Sequence, residues 1–289
     1  MAEGAPTPVR VTNVRALADE WSLVLASQGL RPGVVRRRGS FTLVVSEADR
    51  ERAETMLVAY ELENPAPPIE EALPHAPDWL AGAMIFAALL LFFVVTGPRR
   101  FDGAWFVYGS AAAALILAGE TWRAATALTL HADLAHVAGN TLAGMIFVSA
   151  VCGSLGFGAG SALVFASGVL GNLANARFHL EHHSSVGAST AIFGAVGILA
   201  ALAVARYRRL GVRGRRALAP LAAGLGLLAM LGTSARSDLS GHLFGLLAGA
   251  IIGLLWTRII TTRPGNTAQW LLASTAAAGV VACWTRALP

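Results

Sequence analysis

Residues 206–216 read RYRRLGVRGRR, six arginines set between two long apolar runs. A basic cluster beside apolar segments is a topology signal, because cytoplasmic loops collect Lys and Arg and translocated loops do not. This loop therefore sets the parity of every crossing around it. Working outward, apolar runs near the roughly 20 residues that cross a bilayer fall at 79–97, 127–151, 156–175, 187–205, 217–234, 241–260 and 268–285. An eighth candidate, AWFVYGSAAAALILAGE at 104–120, is apolar but short and bounded by polar stretches. With seven spans and the N-terminus inside, 206–216 lies inside with Arg258 and Arg263, and the 176–186 loop, with one arginine, lies outside. Eight spans would put the six arginines outside. The segment 104–120 is therefore expected as a partly helical loop in or on the outer leaflet.

Composition points the same way. Of 289 residues, 55% are hydrophobic and 13% charged, with a mean hydropathy of +0.59, beyond the balance of soluble domains. The expected molecule is an all-α polytopic membrane protein whose first partner is the lipid bilayer. A pI near 10.2 could suggest nucleic acid, but the arginines cluster beside apolar spans, so no nucleic-acid partner is expected. Cys152 and Cys283 are far apart and lie in or at the edge of apolar segments, which argues against a disulfide framework or a cysteine metal site. The first 78 residues carry no early apolar core, so no cleavable signal peptide is expected and the N-terminus is read as cytoplasmic.

Four regions follow. Residues 1–64 read as a small soluble α+β domain. VRVTNV suggests a strand, ALADEWSLVLASQGL a helix ending at Gly29, and GVVRRRGSFTLVV a hairpin, while Ser46 and Asp49 open a second helix. Residues 65–78 are a proline-rich acidic linker, 79–260 a membrane core of six helices, and 261–289 a seventh, additional C-terminal transmembrane helix.

Seven spans make the second, fourth and sixth run in the same direction, each starting at the outer face. The second opens with HADLAHVAGN, bringing His131, His136 and Asn140; the fourth opens at Ser189; the sixth opens with DLSGHLFG, bringing His242. At ~1.5 Å per helical residue, Ser189 and His242 each fall about 6 Å below the polar residues that start their helices, and His136 to Asn140 cover a similar band below Asp133. Polar groups from three helices thus share one depth, and intramembrane polar groups mark function. A serine needs a base to become a nucleophile, and an oxyanion needs donors. Ser189 as nucleophile, His242 as base and His136 with Asn140 as oxyanion donors fill those roles. No acid lies at that depth, so a dyad is expected, with Asp238 as an N-cap. Gly241, Gly245, Gly249 and Gly253 recur every four residues, a stripe that lets transmembrane backbones approach; the small residues of 187–197 face it.

Each feature alone has a plain explanation: a serine bonded to its own helix, an interfacial histidine, glycines that only pack. Their agreement in depth and chemical type is what carries weight. Together they resemble the rhomboid intramembrane serine proteases. The matching residues are Glu120-Thr-Trp122-Arg123, His131 through His136 to Asn140, Gly187-Ala188-Ser189, and Gly241-His242 with Gly245 and Gly249. The likeness covers roughly residues 79–260. It implies a six-helix core with a water-filled cavity, a Ser189–His242 dyad, oxyanion assistance from His136 and Asn140, and a loop bearing Trp122 and Arg123 that braces the fold. It also implies an aromatic ring, here Phe193, packed on the catalytic imidazole, and transmembrane protein substrates cut near their outer ends. The setting implied is a bacterial inner membrane, with the site open to the periplasmic side. One departure is Thr190, where the family usually has glycine; a β-branched side chain there could crowd the neighbouring helix or alter the oxyanion pocket.

Two other readings compete. A catalytically inactive rhomboid-like protein would bind membrane clients without cutting them, with Thr190 as its support. A metal or ion transporter would use HLEHH, that is His179, Glu181, His182 and His183, which could hold Zn²⁺, but no acids inside the spans continue a path. HLEHH is read as a solvated loop near the substrate entrance, and neither metal nor cofactor is expected.

Overall fold

The chain divides into residues 1–73 and 74–289. The computed structural model describes residues 6–12, 14–37, 39–64, 76–99, 103–179, 183–212, 214–231, 238–260 and 262–289. Linker residues 65–75, together with Glu181, His182 and Arg213, lie outside the described residues. In the first unit, β1 (Thr7–Thr12), α1 (Arg15–Ser27), β2 (Gly33–Arg37), β3 (Ser40–Val45) and α2 (Arg50–Glu63) follow in that order. Both β1 and β2 pair antiparallel with β3 between them. Trp21 and Leu25 of α1, Leu43 and Val45 of β3 and Leu57 of α2 close one apolar core.

The second unit runs α3 (Trp79–Thr96), α4 (Ala104–Gly109), β4 (Ala111–Ala112), α5 (Ala113–Leu117), α6 (Arg123–Thr126), α7 (Leu134–Leu155), α8 (Phe157–His179), β5 (Ser184–Ser185), α9 (Ser189–Arg209), α10 (Ala219–Leu231), α11 (Leu239–Ile259) and α12 (Asn266–Ala287). Five of these, α3, α7, α8, α9 and α11, are long and apolar enough to cross a membrane. The chain is a mostly helical integral membrane protein.

The six-plus-one arrangement is therefore not reached by length and composition. Within 217–234 the described helix is the 13-residue α10, about 20 Å long. Within 268–285 lies the 22-residue α12, whose Gln269, Ser274, Thr275 and Thr285 dilute its apolar character. The segment 104–120 forms only short helices around the bridge of β4 to β5. The second long helix also starts later than 127. Asp133 accepts the His136 N–H at 2.8 Å and caps α7, so residues 123–129 wind into α6 and a 3₁₀ turn, and His131 stands before the helix rather than in it.

Two polar side chains of α12 tie it to both ends of the bundle. Buried Gln269 accepts from Ala159 N at 2.8 Å and donates to Leu155 O at 2.9 Å, satisfying backbone groups that the α7–α8 turn leaves without helical partners. Gly156 and Gly158 make this possible, since a Cβ on either would strike Gln269. At the other end Trp284 Nε1 donates to Thr129 Oγ1 at 3.1 Å, and its ring packs on Phe92 and Trp105.

Candidate active site

The site begins with close contact between α9 and α11. A Cβ on Gly245 would strike the Thr190 carbonyl, one on Gly249 the Gly194 carbonyl, and one on Gly197 the Leu246 carbonyl. Small residues on both faces bring the backbones together where van der Waals packing replaces the hydrophobic effect. Ser189 is the first residue of α9, and His242 lies in the first turn of α11. His242 Nε2 and Ser189 Oγ are 2.8 Å apart. Phe193, one turn along α9, stacks on the imidazole with centroids 4.7 Å apart and planes 27° off parallel. If Nε2 accepts the serine proton, the imidazole carries its own on Nδ1. Nδ1 is buried and has no partner among the described residues. Among the described residues, no carboxylate completes a triad there.

The acid nearest in sequence, Asp238, is committed elsewhere. It accepts from Gly241 N at 2.9 Å, Asn175 Nδ2 at 2.6 Å and Ser240 Oγ at 3.0 Å, and its Oδ2 lies 2.8 Å from His183 Nε2. Burial raises its pKa, but the bonds from His183, Gly241 and Ser240 outweigh that and hold the carboxyl well below the usual carboxylate range. Asp238 is a cap, as expected, and also a junction of α8, α11 and the segment entering β5.

On the other side of Ser189 lie His136, Asn140 and Gly187. Gly187 has φ +127°, and a Cβ on it would sit 2.7 Å from both Cε1 and Nε2 of His136. Glycine is thus required twice, for the backbone region and for the ring beside it. His136 Nδ1 accepts from Ala132 N at 3.3 Å, which puts the ring proton on Nε2, the edge toward Gly187. Asn140 spends one N–H on the His136 carbonyl at 3.0 Å and has a second, with Nδ2 3.6 Å from the Cβ position of Gly187. The N–H groups at the start of α9 have no carbonyl one turn back. Donors from two helices thus flank Ser189. His131, fully buried, packs edge-on to His136 at 5.3 Å, and its Nε2 is 3.5 Å from Ala188 N.

Trp122 and Arg123 stand away from the serine. Arg123, 4% exposed, pairs with Glu120 at 2.6 Å and donates to the carbonyls of Val107 at 2.9 Å and Ser110 at 3.2 Å, pinning the irregular 104–120 segment. Trp122 carries the Arg286 guanidinium over its ring at 4.9 Å. Thr190 is buried with its methyl toward Gly171 of α8 and Gly245 of α11. The side chain is accommodated by two glycines.

Several contributors went unnoticed in the sequence. Asn172 donates to the Ala124 carbonyl at 2.9 Å and Asn175 to Asp238. Two amides three residues apart in an apolar span were a visible signal, since buried amides require partners. Gln269 and Trp284 gave the same signal in α12.

Comparison with known proteins adds the family. Residues 118–259 match the family model described as the Rhomboid domain. The match runs from just before Glu120 to the end of α11 and omits the first unit, α3 and α12. No curated protein matches the chain.

Proposed function

This chain belongs to the rhomboid family, and we propose that it is an intramembrane serine endopeptidase cutting transmembrane segments of other membrane proteins. The observation that carries this reading is the 2.8 Å contact between His242 Nε2 and Ser189 Oγ, flanked by unspent N–H donors of His136 and Asn140. In the proposed reaction Ser189 Oγ attacks the scissile carbonyl as its proton passes to His242 Nε2. The oxyanion forms beside His136 Nε2–H, the free Asn140 N–H and the first N–H groups of α9. His242 returns the proton to the leaving amine, then takes one from the water that attacks the acyl-enzyme and passes it to Ser189 Oγ as the acyl bond breaks. Phe193 holds the imidazole plane. The carbonyls of a substrate helix are already hydrogen-bonded, so the segment must unwind before attack, and glycine or proline near the cut favours cleavage.

The proposal includes residues 1–64 as a cytoplasmic domain joined by the 65–78 linker to a six-helix core at 79–260, with 261–289 as an added helix. It also includes a bacterial inner membrane and a site facing the periplasm, the orientation that keeps the arginines of 206–216 inside. A family match fits an inactive client-binder equally; the dyad contact and the accommodation of Thr190 favour the enzyme. The test is cleavage of a reporter transmembrane substrate by purified wild type, Ser189→Ala and His242→Ala. Both variants are expected to fall to background, with wild type labelled on Ser189 by a fluorophosphonate. An unlabelled, folded wild type, or cleavage that survives Ser189→Ala, refutes the proposal.

A further inference from the structure

Three side chains unused by this reaction converge at the start of α11. His179 closes α8, His183 precedes β5 and Asp238 caps α11, and one donor atom from each lies within 4.8 Å of the others. The imidazoles of His179 and His183 are nearly parallel, centroids 4.2 Å apart and planes 16° off. Both direct Nε2 to the same patch: that of His183 is 2.8 Å from Asp238 Oδ2, and that of His179 is 2.6 Å from Ser240 Oγ, which bonds Asp238 Oδ1 at 3.0 Å.

We propose that His179, His183 and Asp238 form a site for a divalent transition-metal ion of the zinc class, separate from the Ser189–His242 dyad. The donor set decides the ion. Two imidazole nitrogens and one carboxylate suit Zn²⁺ and its neighbours, whereas Ca²⁺ and Mg²⁺ take oxygen ligands. Ligands at about 2.0–2.2 Å from a tetrahedral ion stand somewhat over 3 Å from one another. The present contacts bracket that spacing, so a small opening of the His183–Asp238 contact and a small closing of the rest admit the ion. The supporting shell is already built: Gly241 N donates to Asp238 Oδ1 and Asn175 Nδ2 to Oδ2, bonds that orient the carboxylate as outer-shell partners orient metal ligands in proteins. His179 is exposed and the other two half-buried, leaving an entry path and a fourth position beside the Ser240 hydroxyl.

The stretch HLEHH alone does not show this set, because the third side chain comes from the head of another helix, 55 residues beyond His183. An ion there joins the end of α8 to the head of α11. The His242 N–H donates to the Asp238 carbonyl at 3.0 Å, so the clamp lies one turn from the imidazole of the dyad.

The test uses the full chain purified in detergent and stripped by chelator. Zn²⁺ is titrated against a chromophoric chelator, and Co²⁺ is added as a visible-absorption probe of tetrahedral N/O ligation. Wild type and Ser189→Ala are expected to bind one ion per chain and to gain thermal stability on binding. His179→Ala/His183→Ala is expected to bind at least about 100-fold more weakly and to show no metal-dependent stabilisation, while still unfolding cooperatively without metal at a temperature lowered only by the loss of the half-exposed His183–Asp238 and His179–Ser240 contacts. Asp238→Asn, which keeps an oxygen for the Gly241 N–H, is expected to weaken binding as well. The proposal is overturned if wild type binds less than one equivalent, or if the double variant binds like wild type. It is equally overturned if His242→Ala abolishes binding, since the ion then belongs to the dyad. None of these readouts requires peptidase activity.

Discussion

Gly187→Ala probes the site where backbone conformation and oxyanion geometry meet. The new Cβ would lie 2.7 Å from Cε1 and Nε2 of His136, against the 3.5 Å or more of an ordinary carbon contact, so the ring must retreat by about 0.8 Å. Misplacing a catalytic group by about 1 Å costs on the order of 100-fold, and losing one oxyanion donor costs about 10²–10³, or 2.7–4 kcal/mol. The expected cleavage rate is therefore roughly a hundredth of wild type. Alanine at φ +127° also strains the backbone by about 1–3 kcal/mol, which could lower activity merely by unfolding the protein. Gly119→Ala separates the two effects, because Gly119 has φ +111° and nothing within 4 Å of its Cβ position. Initial cleavage rates of a purified reporter and thermal unfolding in detergent are measured for both. Gly119→Ala should lose stability and keep its rate, while Gly187→Ala loses both. If Gly187→Ala cleaves within about fivefold of wild type, the assignment of His136 as an oxyanion donor fails.

Phe193→Leu removes the ring stacked on His242. An aromatic contact of this kind contributes about 0.5–1.5 kcal/mol, so initial rates of the folded protein should fall roughly two- to tenfold alongside a modest loss of stability from the buried ring, and Phe193→Tyr should retain activity; a Leu variant at the full rate removes the stack from the mechanism. Gln269→Leu leaves Ala159 N and Leu155 O without partners. Each unmet buried group costs about 1–3 kcal/mol, so the unfolding temperature should drop while cleavage by the folded fraction persists, and an unchanged temperature would show that α12 does not strap the turn.

Part of the membrane unit was legible because long apolar runs have one use: those at 79–97, 127–151, 156–175, 187–205 and 241–260 correspond to α3, α7, α8, α9 and α11, while those at 217–234 and 268–285 fall short by length or composition. The approach of Ser189 to His242 was legible because each stands in the first turn of its helix, and the four-residue glycine repeat of α11 faces small residues of α9. Legibility ended where a polar residue's partner lies far along the chain. Asp238 reads as a cap from its position before α11, but its contacts with Asn175 and His183 depend on where α8 ends. Gln269 dilutes an apolar run on the page and turns out to bond a distant helix turn. The span expected from 127 encloses His131, whereas Asp133, three residues before His136, is a helix start signal that leaves His131 outside α7. Thr190 raised concern about crowding because its cavity is carved by Gly171 and Gly245, which no local pattern connects to it.

The bond from Trp284 to Thr129 joins residues 155 apart in sequence, which carries a lesson about timing. Translation delivers the segment leading into His131 and His136 long before it delivers the indole that props that segment. A nascent chain whose dyad helices have already inserted still lacks this support. The brace therefore arrives late in biogenesis, and a premature stop just past α11 is expected to yield a poorly braced molecule.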